Sequence, residues 1–270
     1  MAADTCSDTP LKDTSASNNP FILVPLYIYP ASNSWAPLIS SVSKHPNQDF
    51  LVVVNPDNGP GPGDLPDTNY ISVLKTLSLL PNVKLLGYVH CTYGQRPQEE
   101  IIPDITSYKN WHTITSGNIC IDGIFFDETP STPEYVEYMS FLSSQTRSIL
   151  QDAIIIYNPG IFPQSVKYYD SADYIIPFEN EADQWESEYV QINLVNLSDE
   201  LKAKSIAIAH SCKEWNQQVG IVEEAIGKHG FAGHFVTGVG GYTEWCGLWE
   251  EYVRMTAARM QEGKPHSGEA

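Results

Sequence analysis

Two apolar runs in this 270-residue sequence end abruptly in acid: Gly123-Ile-Phe-Phe-Asp127-Glu128 and Ile175-Ile-Pro-Phe-Glu179-Asn180. Burial at such a position raises a carboxyl pKa, and a charge left unpaired there costs several kcal/mol. Acids persist in that setting where they are used. Two opposed carboxylates suit glycosidic bond cleavage: one attacks or stabilises the oxocarbenium-like sugar, and the other, held protonated, donates to the leaving oxygen. A separation of about 5–5.5 Å gives retention of configuration and about 6.5–9.5 Å gives inversion. The same residues have a structural use as helix caps or first-turn acids. Glu128, one residue past Asp127, fits that use as well as it fits a supporting catalytic acid.

Other polar and aromatic side chains fall where apolar runs end. They are Tyr27 and Tyr29, Asn55 and Asp57, Tyr88, His90 and Tyr93, Asn158, His210 and Ser211, and Tyr242, Glu244 and Trp245. Tyr27, Tyr93 and Trp245 can stack on the apolar face of a sugar. Asn55, His90, Asn158, His210 and Tyr242 can hydrogen-bond its polar groups. Tyr27 and Tyr29 are expected to share one strand face, as are Tyr88 and His90. Asn55-Pro-Asp-Asn-Gly-Pro-Gly-Pro-Gly63 reads as a rigid turn-rich loop. Trp35, Trp111, Trp185 and Trp249 read as packing residues. His90, His210 and Asp127 form a second constellation, the His/His/Asp set of a metal-dependent amidohydrolase or deacetylase. Such barrels carry His-x-His at the end of the first strand, where this chain has Tyr27-Ile-Tyr29. No Gly-x-Ser-x-Gly elbow is present. The expectation is chemistry without metal or cofactor.

The elements that must position these groups alternate along the chain. Eight short runs rich in Val, Ile, Phe and Tyr cover 21–29, 50–55, 83–90, 121–127, 153–158, 174–179, 205–210 and 231–237. Unbroken apolar runs of this length suit strands buried on both faces, as in a parallel sheet. Segments of helical spacing lie between them, among them 133–150, 216–228 and 248–260, with Thr132 before Pro133 as a helix start. Eight strand–helix units predict a single (β/α)8 TIM-type barrel over 21–260. A doubly wound open sheet would bring a glycine-rich turn after the first strand, where the chain reads Tyr29-Pro30-Ala31-Ser32. Residues 1–20 read as a disordered polar leader and 261–270 as a flexible tail.

Fifteen Lys and Arg stand against thirty-three Asp and Glu, a net charge of −18. That balance argues against nucleic acid and anionic membrane surfaces as partners. No run of apolar residues is long enough to span a bilayer, and the leader lacks the basic-then-apolar pattern of a secretion signal. Five cysteines form no metal-binding pair; Cys212 and Cys246, each just beyond a predicted strand, leave room for one bridge. Asn196-Leu-Ser is an N-glycosylation sequon, compatible with secretion. Nothing in the pattern calls for a heptad or an exposed edge, so a monomer is expected.

Seven segments, taken in order, resemble the spherulin-4 family, the spherulation-specific proteins classed as glycoside hydrolase family 135. They are Val24-Pro-Leu-Tyr27-Ile-Tyr-Pro30, Val54-Asn-Pro-Asp-Asn-Gly-Pro-Gly61, Leu86-Gly-Tyr-Val-His90 with Thr92-Tyr-Gly-Gln-Arg96, Asp122-Gly-Ile-Phe-Phe-Asp-Glu128, Tyr157-Asn-Pro-Gly160, Phe178-Glu179 and Ala209-His-Ser211. The resemblance implies a (β/α)8 barrel. It implies an extracellular or cell-surface endo-acting hydrolase of α-1,4-linked N-acetylgalactosamine-containing polysaccharide, such as galactosaminogalactan. It implies Asp127 as nucleophile, Glu179 as general acid/base and Glu128 as a supporting acid. An amino-sugar polymer that has lost acetyl groups is a polycation, which a −18 protein attracts. Two other readings stand beside this one: a carbohydrate-binding barrel without turnover, and the metal-dependent deacetylase built on His90 and His210.

Overall fold

The computed structural model describes residues 19–262. Eight parallel strands close in chain order into a barrel. They are β1 (Phe21–Leu26), β2 (Phe50–Val54), β3 (Val83–His90), β4 (Gly123–Asp127), β5 (Ile154–Tyr157), β6 (Tyr174–Glu181), β7 (Ser205–His210) and β8 (Gly233–Val236). Side chains of β1 and β2 are buried along their whole length, because the interior covers one face and helices the other. The helices are α1 (Ala36–Lys44), α2 (Thr68–Leu77), α3 (Gln98–Ile114), α4 (Val136–Ile149), α5 (Glu188–Asn196), α6 (Asp199–Lys202), α7 (Trp215–Val222) and α8 (Trp249–Glu262).

Local chemistry starts and stops these elements. The Asp67 carboxylate accepts from the N–H groups of Asn69 and Tyr70 and so starts α2. At Gly87 a Cβ would lie 2.5 Å from the Tyr108 ring. Only glycine lets α3 sit this close to β3, and the Tyr108 hydroxyl then donates to Tyr88 O at 2.9 Å.

The structure departs from the regular alternation in two places. After β5 there is only a short 3₁₀ turn, Val166–Asp170, before β6, and two helices follow β6 instead. Pro159, Gly160 and Pro163 in that connection withhold N–H groups and add turn freedom, which disfavours a helix. The helix expected over 216–228 changes geometry part-way, from α7 into a π-helical turn at Glu223–Lys228. Helix α8 reaches Glu262, two residues into the predicted tail; the rest of that tail and residues 1–18 of the leader lie outside the described residues.

Cys212 and Cys246 do not form the bridge their positions allowed: both thiols are free. Cys246 Sγ instead rests against Gly238 and accepts from the Leu248 N–H at 3.5 Å. Cys120 is disulfide-bonded. Trp35, Trp111, Trp185 and Trp249 are buried packing residues, as expected.

One irregularity bears on the site. Between β6 and β7 the register passes from Ile175↔Ser205 to Phe178↔Ala207, so β6 advances three residues while β7 advances two. This bulge contains Pro177, which has no N–H for the ladder. An extra residue exchanges the faces of every side chain beyond it, here including Glu179.

Candidate active site

Three neighbouring strands carry the same pair at or near their carboxyl ends, an outward aromatic followed by an inward polar residue. Phe126 packs edge-on against Tyr157, whose hydroxyl donates to Met139 O on α4. Phe178 packs edge-on against Trp185. These rings face the surrounding helices, so the next residues, Asp127, Asn158 and Glu179, face the barrel axis. The strands lie side by side, and Asn158 of the β5 end stands between the two acids.

Its amide joins them. Asn158 Nδ2 donates to Asp127 Oδ1 at 2.8 Å and to Glu179 Oε2 at 2.5 Å. Asn158 Oδ1 accepts from the Gly160 N–H at 3.1 Å, which orients the amide. The remaining carboxylate oxygens take phenols: Tyr88 donates to Asp127 Oδ2 at 2.8 Å, and Tyr242 to Glu179 Oε1 at 2.7 Å. Tyr27 closes the circle, edge-on to Tyr88 at 5.7 Å and to Tyr242 at 5.9 Å between ring centroids. Among the described residues its hydroxyl has no hydrogen-bond partner, so it is free to meet a ligand.

Burial drives the electrostatics. It raises the Glu179 carboxyl above its ordinary value, and the nearby Asp127 charge adds to the rise; the Asn158 and Tyr242 donors only partly offset it. Burial and the two acids hold the phenols of Tyr27, Tyr88 and Tyr242 well above the ordinary tyrosine range, so all three remain protonated donors. The arrangement couples an acid that favours protonation with a second, hydrogen-bonded carboxylate close by.

Backbone strain gathers at this end of the barrel. Ser32, Asn58, Thr92, Tyr93, Glu128, Ser211 and Tyr242 all adopt positive φ, and each lies in a segment that follows a strand's carboxyl end. Only two other non-glycine residues among those described do so, Ser116 and Asp152. Such strain concentrates where a fold holds side chains for function.

The other candidates are distributed around this centre. Glu128 sits at φ 49° and its carbonyl accepts from the Tyr93 N–H at 2.7 Å. It starts no helix, since the next helical turn begins at Pro133 behind Thr132; its carboxylate lies outside the Asn158 clamp. Tyr93 is 61% exposed at the rim. His90 is the register neighbour of Asp127 and bonds Thr92 Oγ1 through Nδ1 at 3.0 Å. His210 bonds Ser211 Oγ at 3.0 Å and stands edge-on to Tyr242. Among the described residues no three His, Cys, Asp or Glu side chains are grouped as metal ligands, so His90, His210 and Asp127 do not converge as such a set. Asn55 Oδ1 accepts from the Gly59 N–H at 2.9 Å and braces its own loop. Trp245 donates to Ser34 O at 2.6 Å and packs on Trp249, which ties the β8–α8 loop to the β1–α1 loop.

Three features differ from the sequence reading. Tyr29 does not share a face with Tyr27: β1 ends at Leu26, and Tyr29 turns to the rim, donating to Asp67 Oδ2 at 2.7 Å. Asn158 has both N–H groups engaged by protein acceptors rather than left for a ligand. Tyr88, which the sequence places only beside His90 with no ligand role, is a direct partner of Asp127. The Tyr242–Glu179 contact spans 63 residues and has no local signal.

Comparison with known proteins places the chain. The family model described as Spherulation-specific family 4 matches residues 21–256. Spherulin-4 of Physarum polycephalum is 27% identical over 177 residues, which are 65% of this chain and 50% of that protein, so the chain spans about half the length of this curated relative. The crystal structure of Aspergillus clavatus Sph3 in complex with GalNAc matches with a TM-score of 0.82 at 33% identity, covering 88% of this chain and 98% of that one. A GH18 chitinase from Pseudoalteromonas aurantia shares the fold alone, with a TM-score of 0.55 at 15% identity over 87% of this chain and 99% of that one. Because the family model runs from β1 into α8, the chain belongs to Spherulation-specific family 4, the family of spherulin-4.

Proposed function

We propose that the chain is a retaining, endo-acting glycoside hydrolase of α-1,4-linked N-acetylgalactosamine-containing polysaccharide, working outside the cell or at its surface. The observation that supports this most is the Asn158 bridge. Bonds of 2.8 and 2.5 Å meet at one nitrogen. The bridged carboxylate oxygens are therefore at most about 5.3 Å apart, the two bonds laid end to end, which favours the spacing of retaining over that of inverting enzymes. The amino-sugar class is supported by membership of the family and by the similarity to Sph3, whose structure holds GalNAc.

In this reading Asp127 attacks the anomeric carbon while Glu179 gives its proton to the departing glycosidic oxygen. A glycosyl ester on Asp127 forms as the C–O bond breaks. Glu179, now a carboxylate, takes a proton from water, which attacks the same carbon and releases Asp127. The raised pKa of Glu179 suits the first step, and the Tyr88 and Asn158 donors hold Asp127 on line. Tyr27, Tyr93, His90, His210 and Trp245 would contact sugar units along the mouth, with Glu128 as a supporting acid.

Asp127→Asn is the direct test. Tyr88 can turn its hydroxyl to accept from the new amide while Asn158 keeps its acceptor, so the fold and polymer binding should survive. Release of oligosaccharides from galactosamine-rich polymer, followed by mass and by the anomer first formed, should fall to background. Full activity in this variant would refute the assignment. Binding without release by the unmodified protein would support a carbohydrate-binding barrel without turnover.

A further inference from the structure

Asn158 is 6% exposed, and its backbone is tied on one side to β4 and on the other to the segment that leaves it. Its N–H donates to Phe126 O at 2.8 Å, and its carbonyl accepts from the Thr129 N–H at 3.1 Å. Its side-chain carbonyl is engaged by Gly160, which sits at φ 67°, a conformation that favours glycine. Each of its three side-chain bonds therefore ends on protein. The side chain is held on all sides, and its single nitrogen touches both acids.

We propose that Asn158 is a positioning residue that sets the distance between Asp127 and Glu179 and thereby the retaining course of the reaction. The inference rests on the proposed hydrolase reading and deepens it. Separate donors would leave the two acids free to move apart. One nitrogen with two diverging N–H groups fixes their separation, because neither carboxylate can move away without losing its own bond to that shared nitrogen. The other donors, Tyr88 on Asp127 and Tyr242 on Glu179, each hold one acid and do not link the two. Among the described residues neither carboxylate has an ion-pair partner, and every salt bridge present lies elsewhere. The ionisable groups facing them are Tyr27 just after β1, Tyr88 and His90 from β3 with Cys91 beyond them, Glu128 after β4 and Tyr242 from the β8–α8 loop, with His210 beyond Tyr242. None is a lysine or an arginine.

Two substitutions test this. Asn158→Ser removes both N–H donors and leaves room for water between the acids. Asn158→Asp keeps the shape but puts a third carboxylate where the donors were. Turnover should fall at least tenfold in the serine variant and further in the aspartate variant, with KM within about twofold, since no ligand contact is removed. Glu179 loses one of its two donors in both, so the alkaline limb of kcat/KM against pH should move up by about one unit. A residue with only a packing role would lower the melting temperature and the yield of active protein without moving that limb. In the unmodified protein, the Asn158 side-chain amide signals followed by NMR should titrate together with the same limb, which is a readout independent of variant folding. Wild-type turnover and an unmoved limb in Asn158→Ser, or amide signals indifferent to pH, would overturn the proposal. If Asp127→Asn is inactive in the same assay, that failure belongs to Asn158 alone and the hydrolase reading stands. If Asp127→Asn is active, the hydrolase reading itself fails.

Discussion

Replacing Tyr242 by Phe isolates a single hydrogen bond to the acid that must carry a proton. The Tyr242 hydroxyl donates to Glu179 Oε1 at 2.7 Å, while Asn158 keeps the other oxygen. The ring keeps its place against Phe235, and the loop keeps its Trp245 anchor, so only the donor is lost. A hydrogen bond to an ionised group contributes about 1.5–3 kcal/mol, which at 1.36 kcal/mol per unit corresponds to about 1–2 pKa units. Water at the open mouth can replace part of it, so the expected rise for Glu179 is about one unit. The donor favours the charged form, hence its removal moves Glu179 up, and the acid stays protonated to higher pH. The alkaline limb of kcat/KM should therefore move up by about one unit while the acidic limb stays in place. The assay is a pH–rate series on a defined oligosaccharide, with initial rates well below saturation. An alkaline limb that stays still or moves down, in a variant that still turns over, would show that Glu179 is not the titrating acid.

Burial holds His234 neutral in the fold by lowering its pKa to about 3. The unfolded chain binds that proton near pH 6.5, so stability present above 6.5 is lost as pH falls towards 3, by up to about 5 kcal/mol. Glu179, whose pKa is raised, works the other way and regains stability on acidification. Denaturant melts of His234→Gln should lose less stability between pH 7 and 4 than the unmodified protein; equal losses would clear His234 of acid unfolding. Affinity for a partly deacetylated galactosamine polymer should weaken several-fold from about 0.05 M to about 0.5 M salt, because the attraction to a −18 protein is screened. The fully acetylated polymer should bind alike at both, and salt-independent binding of the cationic form would contradict the steering argument. Asn196 is exposed at the end of α5, so passage through a eukaryotic secretory route should add one N-linked glycan there, seen as a mass shift absent from Asn196→Gln. A secreted, unshifted chain would show that the sequon is not used.

The eight strands were legible because parallel strands covered on both faces must be apolar throughout, and runs such as Phe50–Val54 and Ile154–Tyr157 carry that requirement in their own residues. For the same reason the acids at 127 and 179 stood out, as polar residues closing apolar runs. The missing helix after β5 was less legible, although Pro159 and Pro163 were there to read. The shared face assumed for Tyr27 and Tyr29 failed because it took the strand to run on past Leu26.

What the amino-acid order determined by itself is the set of strands, the barrel they close into and the residues at their ends, since each follows from local hydrophobicity and spacing. Which end residues meet was decided only in three dimensions. A bulge at Pro177 changes the face on which Glu179 emerges, closure of the ring brings Tyr242 to it across 63 residues, and strand neighbourhood puts the Asn158 amide between both acids. Those contacts depend on register and ring closure, which are properties of strand pairing and not of any one segment.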